Sequence, residues 1–557
     1  MTTTGRRPRA LVTGFAAVLA ATVMVAAACS STSPSGSAND AAAPATTTPP
    51  KNVYGEVAGP ADGTTPTDGG KVVFGIEAEP EGVDPTRYAL SSSGHFVASA
   101  VFDPLATLDD KGNAVPYLAT AIEPSDEYKT WTITVPTGVK FHDGSELTSQ
   151  VVTDNLEAYR KSLITGPDFA KVASVTTADA THVVMKLSDP MVSLPLLFAA
   201  RQTGYMIAPA MLASPDLANK PIGTGPFVFS DHTKDKSWSF TKNSSYWKAG
   251  LPHLDALEIR PIADNNQRYS DLRAGTLDMM DTQSAQEIVD MRTTTDLKRV
   301  ENLAGEEHFE ALNTSAPPFD DLVARQAVAY ATDTAKFIKE IGLDVYGPAN
   351  GPFAPGQVGY LEKNGYPEFN LEKAKALVKE YTAKTGKPFE FTLHTQADVQ
   401  IQAESQLLQS GYEAAGMKVT VIPLPQINLI AAIASGNYNM GRFRLFGSPS
   451  PDGDASFWRS TSIAPPPGIS TNFPRFANQK IDDAVKAALG TNDEKVKNEQ
   501  YQIVNKEFAT NIPYLWLGRA VWALAASPKV NGIYAAKNGS IQTIGPKTWL
   551  SDLWLSR

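Results

Sequence analysis

From residue 71 onward, short apolar strands alternate with amphipathic helices, and no other feature of the chain constrains its fold as strongly. Residues 71–76 (KVVFGI) read as an apolar strand, while 130–135 (TWTITV) and 389–394 (FEFTLH) alternate as half-buried strands. Segments 322–332, 371–382 and 402–415 carry helical periodicity. Gly416 is placed as the C-cap of the last, and a strand follows at 418–422. Strands interleaved with helices predict α/β lobes. At 557 residues the chain is too long for one core, so two or three lobes are expected.

The formal net charge of −10 argues against nucleic acid or an anionic membrane surface as a partner. Cys29 is the only cysteine, which excludes intrachain disulfides and cysteine-based metal sites. Seven histidines lie scattered at 95, 142, 182, 232, 253, 308 and 394, without the paired spacing of a metal site. A nucleophile elbow, a P-loop and a full dinucleotide fingerprint are all missing. His142-Asp143-Gly144 falls between strand-like segments and is expected to be a tight turn rather than a catalytic dyad. The acidic pairs Asp109-Asp110, Asp320-Asp321 and Asp482-Asp483 sit where caps and solvated turns belong. Nothing in the sequence asks for covalent chemistry, a metal or a cofactor, and no enzyme is expected.

Residues 5–9 (GRRPR) are cationic, and 10–28 form an apolar run that ends in small residues before Cys29. That pattern is an export signal. The run Val25-Ala-Ala-Ala-Cys29 resembles a bacterial lipobox, in which the cysteine is lipidated after cleavage; an uncleaved membrane anchor is the alternative. Either way the body lies outside the cytoplasmic membrane. Residues 30–70 are rich in Ser, Thr, Pro, Ala and Gly and are expected to be a flexible tether.

One stretch, 435–458 (SGNYNMGRFRLFGSPSPDGDASFW), concentrates the polar groups a ligand wall needs. A strand at 439–445 alternates Arg442 and Arg444 with Phe443 and Leu445, which places both guanidinium groups on one face. The strand runs into a Gly-, Pro- and Ser-rich loop. Solvated arginines on an edge strand would give the same pattern.

A series of short motifs then carries a resemblance. Asp84-Pro85, Phe102-Asp103-Pro104-Leu105, Gly112, Pro116-Tyr-Leu-Ala119, Trp131 and Lys140-Phe-His-Asp-Gly144 follow one another. After them come Ile222-Gly-Thr-Gly-Pro-Phe227, Asn243-Ser-Ser-Tyr-Trp247 and Leu272-Arg-Ala-Gly-Thr-Leu-Asp278, and later Leu312–Phe319, Arg325–Ala331 and Leu371–Leu377. In that order they resemble the bacterial family 5 extracellular solute-binding proteins, the peptide, nickel and opine binders of ABC transporters. The resemblance spans residues 71–557.

It implies a two-lobed periplasmic-binding-protein fold of class II. The first lobe would be built from 71–101, 221–312 and 520–557, with an inserted subdomain at 102–220; the second lobe would span 313–519. It implies a lipid-anchored receptor on the outer face of the cytoplasmic membrane. Such a receptor works as a monomer, captures a peptide or peptide-like solute between its lobes and delivers it to an ABC permease. By the same resemblance the ligand walls would be Tyr88, Leu90, Ser91, Ser92 and Phe96 from one loop and Arg442, Arg444, Phe446, Gly447, Ser448 and Trp458 from the 435–458 stretch, with Phe169 and Phe309 added. Peptide-binding relatives carry an aspartate that pairs with the peptide amino group; the matching position here is Gly447 or Ser448, and neither is acidic. An ammonium buried without that partner is costly. Paired arginines suit a carboxylate, phosphate or sulfate. A non-peptide anionic or glycosidic solute is therefore the alternative, as is a regulatory or scaffolding role on the same fold.

Overall fold

The computed structural model describes residues 56–109, 112–302, 306–445, 447–448, 450–465, 468–533 and 549–556. The expected signal, Cys29 and Phe446 lie outside the described residues.

Two large sheets carry the body. The first has eight strands in the order Glu56–Ala58, Lys298–Asn302, Trp522–Ala526, Met279–Thr282, Lys71–Ile76, Ala256–Pro261, Ser237–Lys242 and Phe227–Thr233. The second has five, ordered Lys418–Leu424, Glu390–Gln396, Met440–Leu445, Glu307–Leu312 and Tyr514–Arg519. Lys71–Ile76 is buried at every position but the first, because elements cover both faces of its sheet and a continuous apolar run satisfies both. Thr130–Thr134 instead belongs to a separate four-stranded antiparallel sheet and buries only Trp131 and Ile133, the alternation of a sheet wetted on one side. That small sheet and helix Ser149–Lys161 enclose their own core, within the segment expected as an insertion.

Helix boundaries follow local chemistry. The side chains of Asp321, Asn370 and Asp398 accept backbone N–H groups at the starts of Leu322–Ala331, Leu371–Thr385 and Val399–Ala414. The last of these is capped at Ala415, so Gly416, expected as the cap, sits one place beyond it at φ 94°.

Two boundaries expected from sequence need correction. Composition places residues 56–70 in the tether, yet Glu56–Ala58 pairs antiparallel with Lys298–Asn302. Gly63 N–H also donates to Asn531 Oδ1 at 2.8 Å and Thr67 Oγ1 to the Leu555 carbonyl. Polar composition hid this docking, because backbone pairing needs no large side chains. Second, Glu307–Leu312 was placed in the first lobe but is hydrogen-bonded on both sides within the five-stranded sheet. The chain therefore passes between the sheets after Asn302 and returns between Arg519 and Trp522. The two crossings are joined by Ala520 N–H donating to the Glu306 carbonyl at 2.9 Å.

The motifs at 102–105, 140–144, 222–227 and 243–247 converge on one joint. Asp103 is buried, and its carboxylate accepts hydrogen bonds from Tyr246 Oη (2.9 Å), Trp247 Nε1 (2.8 Å) and Thr224 Oγ1 (2.9 Å). His142 Nε2 lies 3.0 Å from the Gly225 carbonyl, inside the turn that Asp143 closes onto Ser145. Gly223 and Gly225 press against the Val101 carbonyl so closely that no Cβ could be accommodated. These residues fasten the four-stranded subdomain to the eight-stranded sheet; they hold a joint rather than line a cavity.

Candidate functional site

The strand Met440–Leu445 is fixed at its start by amides. Asn313 Nδ2 donates to the carbonyls of Gly436 and Tyr438, both at 2.9 Å, and Asn439 Oδ1 accepts from Thr392 N–H and Oγ1. The expected alternation holds along the strand: Phe443 and Leu445 pack on one apolar cluster, and the arginines project from the other face. Their partners were not foreseen. Arg442 is buried, with Nη2 2.7 Å from Glu404 Oε2 and 2.8 Å from His308 Nδ1, and with Nη1 donating to the Phe443 carbonyl. Glu404 comes from helix Val399–Ala414 of the same lobe, so Arg442 is internal to that lobe and not a ligand group. Burial first, and then the two arginine charges, hold the His308 imidazole well below its usual range. The neighbouring Glu310 carboxyl is pushed by burial up to about 8.

Arg444 reaches across to the eight-stranded sheet. Its Nη2 lies 2.8 Å from Glu77 Oε1, immediately after strand Lys71–Ile76, and its Nε 3.4 Å from Glu306 Oε2. The guanidinium sits 4.8 Å from the centre of the Trp522 ring. Trp522 Nε1 in turn donates to Glu306, and Gln283 Nε2 to Glu77 Oε2. Burial alone would lower the Arg444 pKa, but the Glu77 and Glu306 charges outweigh it and raise it. Tyr346 adds a second bridge, donating from Oη to the Gln283 carbonyl at 3.1 Å. The anionic partner expected from a ligand is supplied to both arginines by the protein itself.

Beyond the strand, Ser448 is buried. Its N–H donates to Asp454 Oδ2 at 3.2 Å, its carbonyl accepts from Gln357, and its Oγ has no hydrogen-bond partner. Gly447 beside it is half-buried. Asp452 is taken up by Lys497 Nζ and Tyr501 Oη, both at 2.6 Å. Asp454 differs: burial pushes its carboxyl up to about 7 against the pull of Arg201. Arg201 belongs to the inserted subdomain, pairs with Asp168 at 3.2 Å and lies 5.1 Å over the ring of Phe457. The loop from 447 to 458 therefore faces residues of the other lobe.

From that lobe, Gln202 braces the opposing loop. Its Nε2 donates to the carbonyls of Pro85 and Tyr88, and its Oε1 accepts from Leu90 N–H. Tyr88 is half-buried against Gly82. Ser91 does not sit in an open loop: it caps helix Ser92–Val101, and Ser92 and Ser93 form its buried first turn. Ser92 Oγ is left without a partner.

Four expected aromatic wall residues are core instead. Phe96 meets Phe74 edge-on and Phe169 stacks on Tyr159. Phe309 is enclosed by Phe443, Tyr514 and Trp516, and Trp458 by Phe353, Tyr501 and Phe508. Leu90 joins Phe96 in the core of the first lobe. Each lies in an apolar cluster that needs its volume. Glu77, Glu306, Arg201, Gln202 and Asp454 went unremarked or unassigned, because no local spacing ties position 77 to 444 or 201 to 457.

Among the described residues no group of His, Cys, Asp or Glu is arranged to hold a metal, and no helix is long and apolar enough to cross a membrane. The family model for bacterial extracellular solute-binding proteins, family 5, matches residues 113–465. Di/tripeptide-binding protein 2 of Pseudomonas aeruginosa is 25% identical over 82% of this chain and 91% of its own. The glutathione-binding protein GsiB of Pectobacterium atrosepticum is 27% identical over 80% and 88%. Among solved structures, the agropinic acid complex of AgaA from A. tumefaciens R10 superimposes with a TM-score of 0.78 at 25% identity, over 88% of this chain and 99% of that one. DppA from Helicobacter pylori, bound to the peptide STSA, shares the fold with a TM-score of 0.79 at 20% identity, over the same shares.

Proposed function

Because the chain belongs to the family 5 bacterial extracellular solute-binding proteins, we propose that it captures a small peptide or peptide-like solute between its two lobes and delivers it to the permease of an ABC importer. The observation that supports this reading is Arg201, which lies over the Phe457 ring and acts on the Asp454 carboxyl of the other lobe, while the adjacent Gln202 braces the loop at Tyr88. Two lobes thereby present backbone groups, a hydroxyl and a carboxyl to one another, as a hinged receptor requires. Tyr88, Gly447, Ser448 and Asp454 are the residues we assign to solute contact, with Ser92 behind them; Arg444 acts at the crossing. A monomeric receptor tethered through a lipidated Cys29 fits the leader pattern of the sequence.

An opine-like solute is the second reading. It is favoured by the AgaA likeness at 25% identity and by the lack of an acidic residue at 447 or 448. Thermal shift against di- and tripeptides, glutathione and agropinic acid separates the two, with native mass spectrometry to identify co-purified solute. A saturable shift with peptides supports the first reading. A shift with the opine alone replaces it with the second, and a response to none of them removes both.

A further inference from the structure

Between the inserted subdomain and the second lobe runs a narrow, partly open crevice. Asp168, Lys171 and Met191 line one wall, and Asp452, Ser456 and Arg459 the other. The carboxylates around it already have close partners. Asp168 is paired with Arg201 at 3.2 Å, Asp189 with Lys486 at 3.4 Å and Asp452 with Lys497 at 2.6 Å. Asp482 accepts the Ser460 N–H at 2.8 Å. Asp189 acts on Lys171, and Asp168 and Asp482 on Arg459, through charge at longer range; neither cation has a carboxylate within 4 Å among the described residues.

Lys171 Nζ is shut off from solvent and has no hydrogen-bond partner, and neither has Arg459 Nε; Arg459 Nη2 makes one long contact, 3.4 Å, to the Pro167 carbonyl. The Ser456 hydroxyl on the same wall is also unpartnered. Burial pulls the Lys171 ammonium below its usual range, and the Arg459 charge pulls it further. Two cations facing each other across a lobe boundary, with donors that no carboxylate reaches, are stabilised by an anion that takes those donors. An ammonium, a guanidinium N–H and a hydroxyl together form the donor set that anionic oxygens take.

We propose that Lys171 and Arg459 hold an anionic group (a carboxylate, sulfate or phosphate) in this crevice and so clasp the subdomain to the second lobe. The anion is either the acidic end of the transported solute or a free ion. The first source rests on the interlobe-binding reading above; the anion site does not.

The test is thermal unfolding of the mature protein in chloride, titrated with sulfate at matched ionic strength. Saturable stabilisation of the wild type that is kept in Lys171→Arg and lost in Lys171→Gln and Arg459→Gln is expected. In sulfate-free buffer Lys171→Gln should be at least as stable as the wild type, since it removes an unpaired buried charge. An equal saturable shift in the glutamine variants, or a Lys171→Gln protein less stable without sulfate, overturns the proposal. Tripeptides with free and amidated C-termini then identify the source. About a tenfold preference for the free acid that disappears in Lys171→Gln assigns the anion to the solute. Equal binding of both peptides with the sulfate response intact assigns it to a free ion. If no peptide binds, the solute reading fails while the sulfate titration still decides the site.

Discussion

Arg444 Nη2 lies 2.8 Å from Glu77 Oε1, although 367 positions separate the two residues. Glu77 continues a strand of the eight-stranded sheet and Arg444 belongs to the five-stranded one, so the pair spans the two lobes beside the crossings. With Glu306 and Trp522 it forms an interlobe contact made from the protein's own groups. Contacts of this kind shift a two-state equilibrium toward the binding-competent state and raise apparent affinity.

Arg444→Ala is therefore expected to weaken solute binding about tenfold, ~1.4 kcal/mol, by favouring the open form. Calorimetry gives the affinity and small-angle scattering the fraction closed. Glu77→Gln should reproduce most of the loss, and the double variant should lose little more than either single one. Additive losses in the double variant would mean that Arg444 acts on the solute itself.

Asp103 holds three donors from two distant segments. Asp103→Ala removes the acceptor of Trp247 and Thr224 and leaves Tyr246 with Tyr117 alone in a buried joint, an expected cost of about 3–5 kcal/mol. The loss should appear in chemical denaturation and as protease sensitivity within the inserted subdomain. A variant that unfolds like the wild type would show that the joint is held by packing alone.

Stability should also depend on pH through Glu310. Burial pushes its carboxyl up to about 8 in the folded protein from an ordinary 4.5, so the folded state binds more protons throughout that window. Stability is then full below the lower value and is lost as pH rises through the upper one. Asp281, pushed by burial up to about 8, and Glu287, pushed up to about 7, act in the same sense. His308 acts in the opposite sense, because its depressed imidazole loses stability as pH falls below its usual value of 6.5. Glu310→Gln should flatten the decline between about pH 5 and about pH 8 in denaturant titrations; an unaltered slope would assign it to other groups.

Phe309 separates a wall residue from a core residue. Phe309→Ala is expected to cost about 3–5 kcal/mol through the cavity it leaves beside Tyr514 and Trp516. Any folded fraction should bind solute with wild-type affinity. A specific affinity loss at unchanged stability would return Phe309 to the ligand wall.

The strand and helix pattern was legible because burial imposes a period on each element. Trp131 and Ile133 alternate with threonines as a half-wetted sheet demands, and Asp321 and Asn370 stand where helices begin. The family was legible as well, but through residues such as Asp103, Gly223 and Gly225 that secure a joint. Those residues carry no information about cargo, which is why the ligand walls were read less well. Phe96, Phe169, Phe309 and Trp458 have the composition of a binding surface, and composition does not distinguish a cleft from a core. The arginines were found by their period, whereas their partners Glu404 and Glu77 come from elements no local pattern links to them. The docked segment 56–70 escaped notice because its attachment is made by backbone groups and small polar side chains.

Trp522 lies under the Arg444 guanidinium and donates its indole N–H to Glu306, beside the point where the chain returns between the sheets. Both neighbours are ionisable, and a change in the interlobe geometry is expected to alter the Arg444 contact. An indole emits at a wavelength set by the charges around it, so this side chain is a native optical gauge of the hinge. It is one of eight tryptophans, and the difference spectrum against Trp522→Phe isolates its signal. The opening and closing of the receptor can then be timed in solution without a label.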